Sequence, residues 1–123
     1  MTPQIYLIDD NPANQRLISW VVEGTKCQLH SYLDAETGLE ACFAEPPDLV
    51  LLDIQLPGMN GEDACRTLKN DPRTANIPVI AVTANNMPGD EAYLLGIGFD
   101  AYLGKPITRL ELTQLITRFL STD

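Results

Sequence analysis

Four short apolar runs in this chain each lead into residues able to do polar chemistry. Tyr6-Leu7-Ile8 ends in Asp9-Asp10, Leu49-Val50-Leu51-Leu52 in Asp53, Val79-Ile80-Ala81-Val82 in Thr83, and a weaker run from Phe99 to Leu103 in Gly104-Lys105-Pro106. As parallel strands they would bring three carboxylates, a hydroxyl and an ammonium to one edge of a sheet. Carboxylates gathered this closely repel and resist full ionisation unless a cation lies among them. Mg²⁺ suits such a place, because it takes one or two carboxylates and fills its shell with water and phosphate oxygens. Phosphoryl transfer asks mainly for positioning and charge neutralisation, which Mg²⁺ and Lys105 would supply, with Thr83 as a neutral donor. A carboxylate nucleophile yields an acyl phosphate, so the set reads as a site that is charged and discharged, with no released small-molecule product.

The segments between these runs are built to hold them. Asn11-Pro12 reads as an N-cap followed by proline at the first helical position, opening a helix to about Glu23 with Gly24 beyond it. Asp34 caps a second helix to about Ala44, stopped by Pro46-Pro47. Asn60 precedes a third from Gly61 to Lys69, whose Glu62 and Asp63 suit the positive end of the helix dipole. Pro88, Asp90 and Glu91 start a fourth. Thr108 and Glu111 form a capping box for a fifth, with Leu112, Leu115, Ile116 and Phe119 on one apolar stripe.

Strands alternating with helices imply a parallel sheet covered on both faces. The runs near 5–8, 49–52 and 79–82 are apolar throughout, as central strands are, whereas those near 28–33 and 99–103 are mixed, as edge strands are. With right-handed crossovers this predicts strand order 2-1-3-4-5, an α/β flavodoxin-like doubly wound sheet with five helices over residues 1–123. Ligands of such sheets bind beyond the strands' carboxyl ends where the order reverses, the point that Asp9, Asp10 and Asp53 straddle.

Composition narrows the functions. The 123 residues suit one domain, and a net charge of −9 with scattered Arg and Lys excludes a nucleic-acid backbone as direct partner. Cys27, Cys42 and Cys65 have no Cys-x-x-Cys pattern and read as reduced thiols acting as small hydrophobes. His30 reads as structural. With no signal peptide and no membrane-length apolar stretch, the expectation is a cytoplasmic protein with no membrane partner.

Taken in order, Asp9-Asp10, Asp53 within Leu-Leu-Asp-Ile-Gln-Leu-Pro-Gly-Met-Asn-Gly, Thr83-Ala84 and Lys105-Pro106, with Tyr102 three residues before the lysine, resemble the response-regulator receiver domains of two-component phosphorelays. The resemblance spans almost the whole chain; each motif is weak alone and the ordered set is specific. It implies that Asp53 accepts a phosphoryl group from a phosphohistidine on a histidine kinase or histidine phosphotransfer protein. It implies that Asp10 binds Mg²⁺ directly, that Asp9 supports it, and that the Gln55 backbone carbonyl joins Asp53 in the metal shell. Thr83 and Lys105 would each hold a phosphoryl oxygen, and Tyr102 would swing inward as Thr83 moves. A cis Lys105–Pro106 bond is also implied. Ala84 would leave the site open, and Gln55 and Asn85 would flank the attacking water and tune the acyl phosphate's lifetime, so that substituting either changes the dephosphorylation rate. Output would pass through the fourth helix, fifth strand and fifth helix, with Met87, Tyr93, Tyr102 and Arg109 as candidate contacts to a downstream protein target. A phosphorylation-dependent homodimer stays open.

Each residue also has a plainer role: Asp9, Asp10 and Asp53 as strand-end polar groups, Thr83 as a turn former, Lys105 as a surface residue, Tyr102 as a packed edge aromatic and Tyr93 as core. Only the phosphoryl reading needs all these types together. An aspartyl phosphatase would carry a second Asp where Gln55 stands, and a flavin binder would need a phosphate cradle where Asp9-Asp10 would repel phosphate. The expected protein is a receiver working by protein contact, not a turnover enzyme on a separate substrate. The chain's extent leaves no room for a DNA-binding output domain, while Asp-Asp-Asn-Pro-Ala-Asn resembles the opening of receiver modules of hybrid histidine kinases. A non-phosphorylated scaffold is the remaining alternative.

Overall fold

The computed structural model describes residues 2–84 and 89–120. Their strands are β1 (Gln4–Ile8), β2 (Gln28–Tyr32), β3 (Leu49–Asp53), β4 (Val79–Thr83) and β5 (Ala101–Gly104). Between and after them run α1 (Pro12–Glu23), α2 (Ala35–Ala44), α3 (Gly61–Lys69), α4 (Asp90–Ile97) and α5 (Arg109–Leu120). All pairings are parallel and the order is β2-β1-β3-β4-β5, the doubly wound arrangement expected.

Alternation along the central strands divides the core in two. Ile5, Leu7, Leu49, Leu51, Ile80 and Val82 face Ile18, Val21 and Val22 of α1 and Leu112 and Ile116 of α5. Tyr6, Ile8, Val50, Leu52, Val79 and Ala81 face α2, α3 and Leu94 of α4. β3 and β4 are buried at every position, which is why they read as unbroken apolar runs. Burying each of the enclosed Leu and Ile side chains is worth about 1.5–3 kcal/mol, so a polar residue at Leu51 would collapse the layer that sets the strand register.

The caps fall where the sequence puts them. Asn11 Oδ1 accepts the amides of Ala13 and Asn14, Asp34 that of Thr37, Asn60 that of Asp63 and Thr108 Oγ1 that of Glu111. The edge strands are shorter than their runs. Leu33, beyond β2, is 60% exposed, and Phe99 is buried ahead of β5, where Asp100 turns to accept the Val79 amide. α4 begins at Asp90 after Gly89, whose φ of 94° favours glycine; the expected starter Pro88 lies outside the described residues. Cys42 and Cys65 are free and buried, and burial pushes their thiols up to about 12 and about 11, in keeping with an inert role. His30 packs its ring edge-on to Tyr6 and bonds Gln4 Oε1 at 2.6 Å, a structural role. Among the described residues no helix is long and apolar enough to cross a membrane.

Candidate functional site

The carboxyl ends of β1 and β3 lie side by side, and the sheet delivers its aspartates there. Asp9 prolongs β1, its amide donating to the Tyr32 carbonyl at 3.0 Å, and it is fully buried. The Asn11 amide donates to its Oδ1 at 2.8 Å and the Asn14 side-chain amide to its Oδ2 at 3.3 Å. Asp10 is exposed at the mouth. Asp53 closes β3 and is 2% exposed; its Oδ1 accepts the Gln55 amide at 3.0 Å and its Oδ2 faces Lys105 Nζ at 3.2 Å.

Asp9, Asp10 and Asp53 each bring a carboxylate oxygen within 4.8 Å of the others. At that separation two ionised carboxylates repel by about 3 kcal/mol for an effective dielectric near 20. The Asp9 carboxyl is raised above its usual range, first by burial and also by the Asp53 charge, while the Asn11 amide, Lys105 and Asn14 act against the rise. A crowded, all-oxygen, net negative donor set with one partner ammonium fits a hard divalent cation.

Register places the remaining groups. Asp53 pairs with Val82, so Thr83 comes one residue beyond it, 3% exposed. Thr83 pairs with Gly104 and its carbonyl accepts the Lys105 amide at 2.8 Å, which sets Lys105 at the mouth; Lys105–Pro106 is cis. Thr83 also lines a small cavity of about 80 Å³ with Ile54, Glu62, Asp90, Tyr93 and Leu94. Tyr102 pairs with Ala81, is half-buried, and borders an opening of about 400 Å³ with Gly104, Lys105, Pro106 and Glu111.

Gly61 is what lets α3 start against this edge. A Cβ there would stand 2.3 Å from the Asp53 carbonyl oxygen, so any side chain would push β3's end away. Gly58, with φ of 76°, turns the loop that walls the site.

The structure therefore gathers Asp9, Asp10, Asp53, Thr83 and Lys105, with exposed Gln55 beside them. Asn85 and Met87 lie outside the described residues. The structure bears on two of the output-face candidates. Tyr93 is not core: it is 56% exposed and its hydroxyl donates to Glu62 Oε2 at 2.9 Å, because α4 turns Leu94 inward instead. Arg109 turns toward α1, its guanidinium 5.1 Å over the Trp20 ring, because α5 packs on α1. Sequence reading missed Asn14 and Gln15, which bond the Asp9 carboxylate and backbone carbonyl, and Glu36, whose Oε1 accepts the Met59 amide at 3.2 Å. The Asn14 contact had a local trace in its place three residues after the N-cap; the Glu36 contact spans loops and had none.

Known proteins resemble this chain in sequence and in fold. The Response regulator receiver domain family matches residues 5–117. The chain is 38% identical over 115 residues to the signal transduction histidine-protein kinase BarA of Escherichia coli, covering 94% of this chain. It spans only 12% of BarA's length, and 13% of that of the sensor histidine kinase GacS of Pseudomonas protegens. It is 36% identical to the polar-differentiation response regulator DivK of Brucella ovis over 98% of both chains. Among solved structures, the receiver domain of the sensor histidine kinase PA1611 of Pseudomonas aeruginosa, with a magnesium ion coordinated in its active site cleft, superposes with a TM-score of 0.89 at 29% identity, covering 98% of this chain and 99% of that one.

Proposed function

The chain belongs to the response regulator receiver domains and acts as a phosphorelay receiver, and within that role we propose that Asp53 is its phosphoacceptor. The observation that carries this is the buried Asp53 carboxylate, 3.2 Å from Lys105 Nζ and within 4.8 Å of the Asp9 and Asp10 oxygens. We read residues 1–123 as one such domain, placed with its donor in the cytoplasm.

An Asp53 carboxylate oxygen attacks the phosphorus of a phosphohistidine on a histidine kinase or phosphotransfer protein. The P–N bond breaks, its electron pair stays on the imidazole, which takes up a proton, and the phosphoryl group ends on Asp53. Asp9, Asp10, Asp53 and the Gln55 carbonyl would hold Mg²⁺, which when bound supplies positive charge against the carboxylates and the phosphoryl oxygens. Lys105 releases its bond to Asp53 Oδ2 to hold a phosphoryl oxygen, and Thr83 donates its hydroxyl to another. Thr83 and Tyr102 lie on adjacent strands, two ladder positions apart, so a moving Thr83 opens room for the ring. A downstream protein that prefers the shifted arrangement then binds the charged form better. Gln55, exposed beside Asp53, sets the acyl phosphate's lifetime, and Asn85 is assigned the same tuning role from its place in the sequence two residues after Thr83.

Intact mass after incubation with acetyl phosphate tests the reading. One phosphoryl group is expected in Mg²⁺, none in EDTA and none in Asp53→Asn; equal uptake by Asp53→Asn overturns it.

A further inference from the structure

We propose that Asn14 is a positioning residue that fixes the Asp9 carboxylate for divalent metal, and so helps set the chain's Mg²⁺ affinity. The inference rests on the three-aspartate metal site proposed above and adds a residue from outside that set.

Its ground is an altered helix start. Asn11 is the N-cap of α1, Pro12 the first helical residue and Asn14 the third after the cap. In a capping box the side chain at Asn14's position would turn back to the N-cap's own amide. Here that amide, Asn11 N–H, donates instead to Asp9 Oδ1 at 2.8 Å. The Asn14 side chain is thereby released from capping, and its Nδ2 reaches Asp9 Oδ2 at 3.3 Å. An ionised carboxylate only accepts, so the contact needs an NH₂ donor; an aspartate in its place would have none to offer.

The two bonds hold opposite oxygens of one fully buried carboxylate. One bond alone would leave the group able to rotate about its Cβ–Cγ axis. Two fix its plane, with acceptor capacity left on both oxygens. Gln15 secures the same residue from behind, its side-chain amide donating to the Asp9 carbonyl at 2.5 Å. The first turn of α1 thus clamps Asp9 through backbone and side chain, while exposed Asp10 accepts no hydrogen bond among the described residues. Asp10 adapts to a metal, and Asp9 is set in advance. Groups that orient a metal ligand through a hydrogen bond typically change affinity ten- to a hundredfold. Asn14 is half-exposed and the amide contact long, so the lower end applies.

The test is a Mg²⁺ titration of the full chain followed by backbone amide NMR shifts, on wild type, Asn14→Ala and Asn14→Gln. Metal-free Tm and the Tm gained in saturating Mg²⁺ are recorded beside it. Alanine is the better helix former, so Asn14→Ala keeps α1. Its Mg²⁺ dissociation constant should rise about tenfold, while Asn14→Gln, which keeps an NH₂ donor, recovers most of the loss. Acetyl-phosphate uptake by Asn14→Ala should need correspondingly more Mg²⁺ and reach the wild-type plateau, which loss of structure would not give. An Asn14→Ala dissociation constant within twofold of wild type overturns the inference and leaves the metal site standing. Wild type failing to saturate with Mg²⁺ overturns both.

Discussion

Both edges of this sheet carry aspartates, and they are used in opposite ways. At the amino edge the carboxylates are spread out and each has its own donors. Asp48 Oδ2 accepts the Gln4 amide at 2.7 Å, and Asp100 Oδ2 accepts the Val79 amide at 2.8 Å and Lys69 Nζ at 2.8 Å. They close the first peptide groups of β1 and β4, which would otherwise lack partners. At the carboxyl edge Asp9, Asp10 and Asp53 crowd within 4.8 Å with Lys105 against one of them. The same side chain stabilises where it is dispersed and paired, and stores repulsion where it is gathered. That stored repulsion is what a divalent cation would relieve, and the same cation would offset the negative charge a phosphoryl group adds.

Changes at the two edges should therefore move stability in opposite directions. The largest effect is expected from Asp100→Ala, which strands the Val79 amide and removes the carboxylate partner of Lys69; it should cost about 2 kcal/mol, read from the urea midpoint, with acetyl-phosphate uptake unchanged. If it instead lost uptake as fully as Asp53→Asn, the edges would not be separate in function. Smaller and opposite, Asp9→Asn removes a buried charge from the cluster and should raise Tm by a few degrees in EDTA. In saturating Mg²⁺ the order should reverse, since only wild type keeps all three carboxylates. A lower Tm for Asp9→Asn in EDTA would mean that the carboxyl edge stores no repulsion.

The smallest effect belongs to Asp71, in the connection from α3 to β4. Its hydrogen bonds from Arg73 hold its carboxyl down at about 2. A depressed carboxyl contributes stability above the unfolded value of about 3.9 and loses it as pH falls toward its folded value. Wild type should thus exceed Asp71→Ala slightly at pH 5, and their urea midpoints should converge between about pH 4 and about pH 2. A gap that stays constant over that interval would assign the difference to packing.

What was legible in the sequence follows the same division between local and distant. The fully buried β3 and β4 announced themselves as apolar runs, and Asn11, Asp34, Asn60 and Thr108 announced the helices, because capping is settled within a few residues. The site aspartates were visible because Asp53 ends β3 and Asp9 and Asp10 directly follow β1. α4 was harder: Tyr93, Leu94 and Leu95 are consecutive, so periodicity cannot choose which one points inward, and the fold chose Leu94. Arg109 depends on where the end of α1 passes, and Glu36 on a loop 23 residues away, neither of which local pattern records. Asn14 was hidden differently, since it holds the place of a capping-box partner whose N-cap amide is already bound by Asp9.

The central claim is that the crowded edge, and within it the end of β3, takes the phosphoryl group. It is tested most directly by treating the Mg²⁺-loaded chain with acetyl phosphate, reducing the acyl phosphate with borohydride and locating the reduced side chain by peptide mass spectrometry. The account predicts reduction at Asp53 alone. Reduction at Asp9 or Asp10, or at Asp48 or Asp100 on the opposite edge, would contradict it.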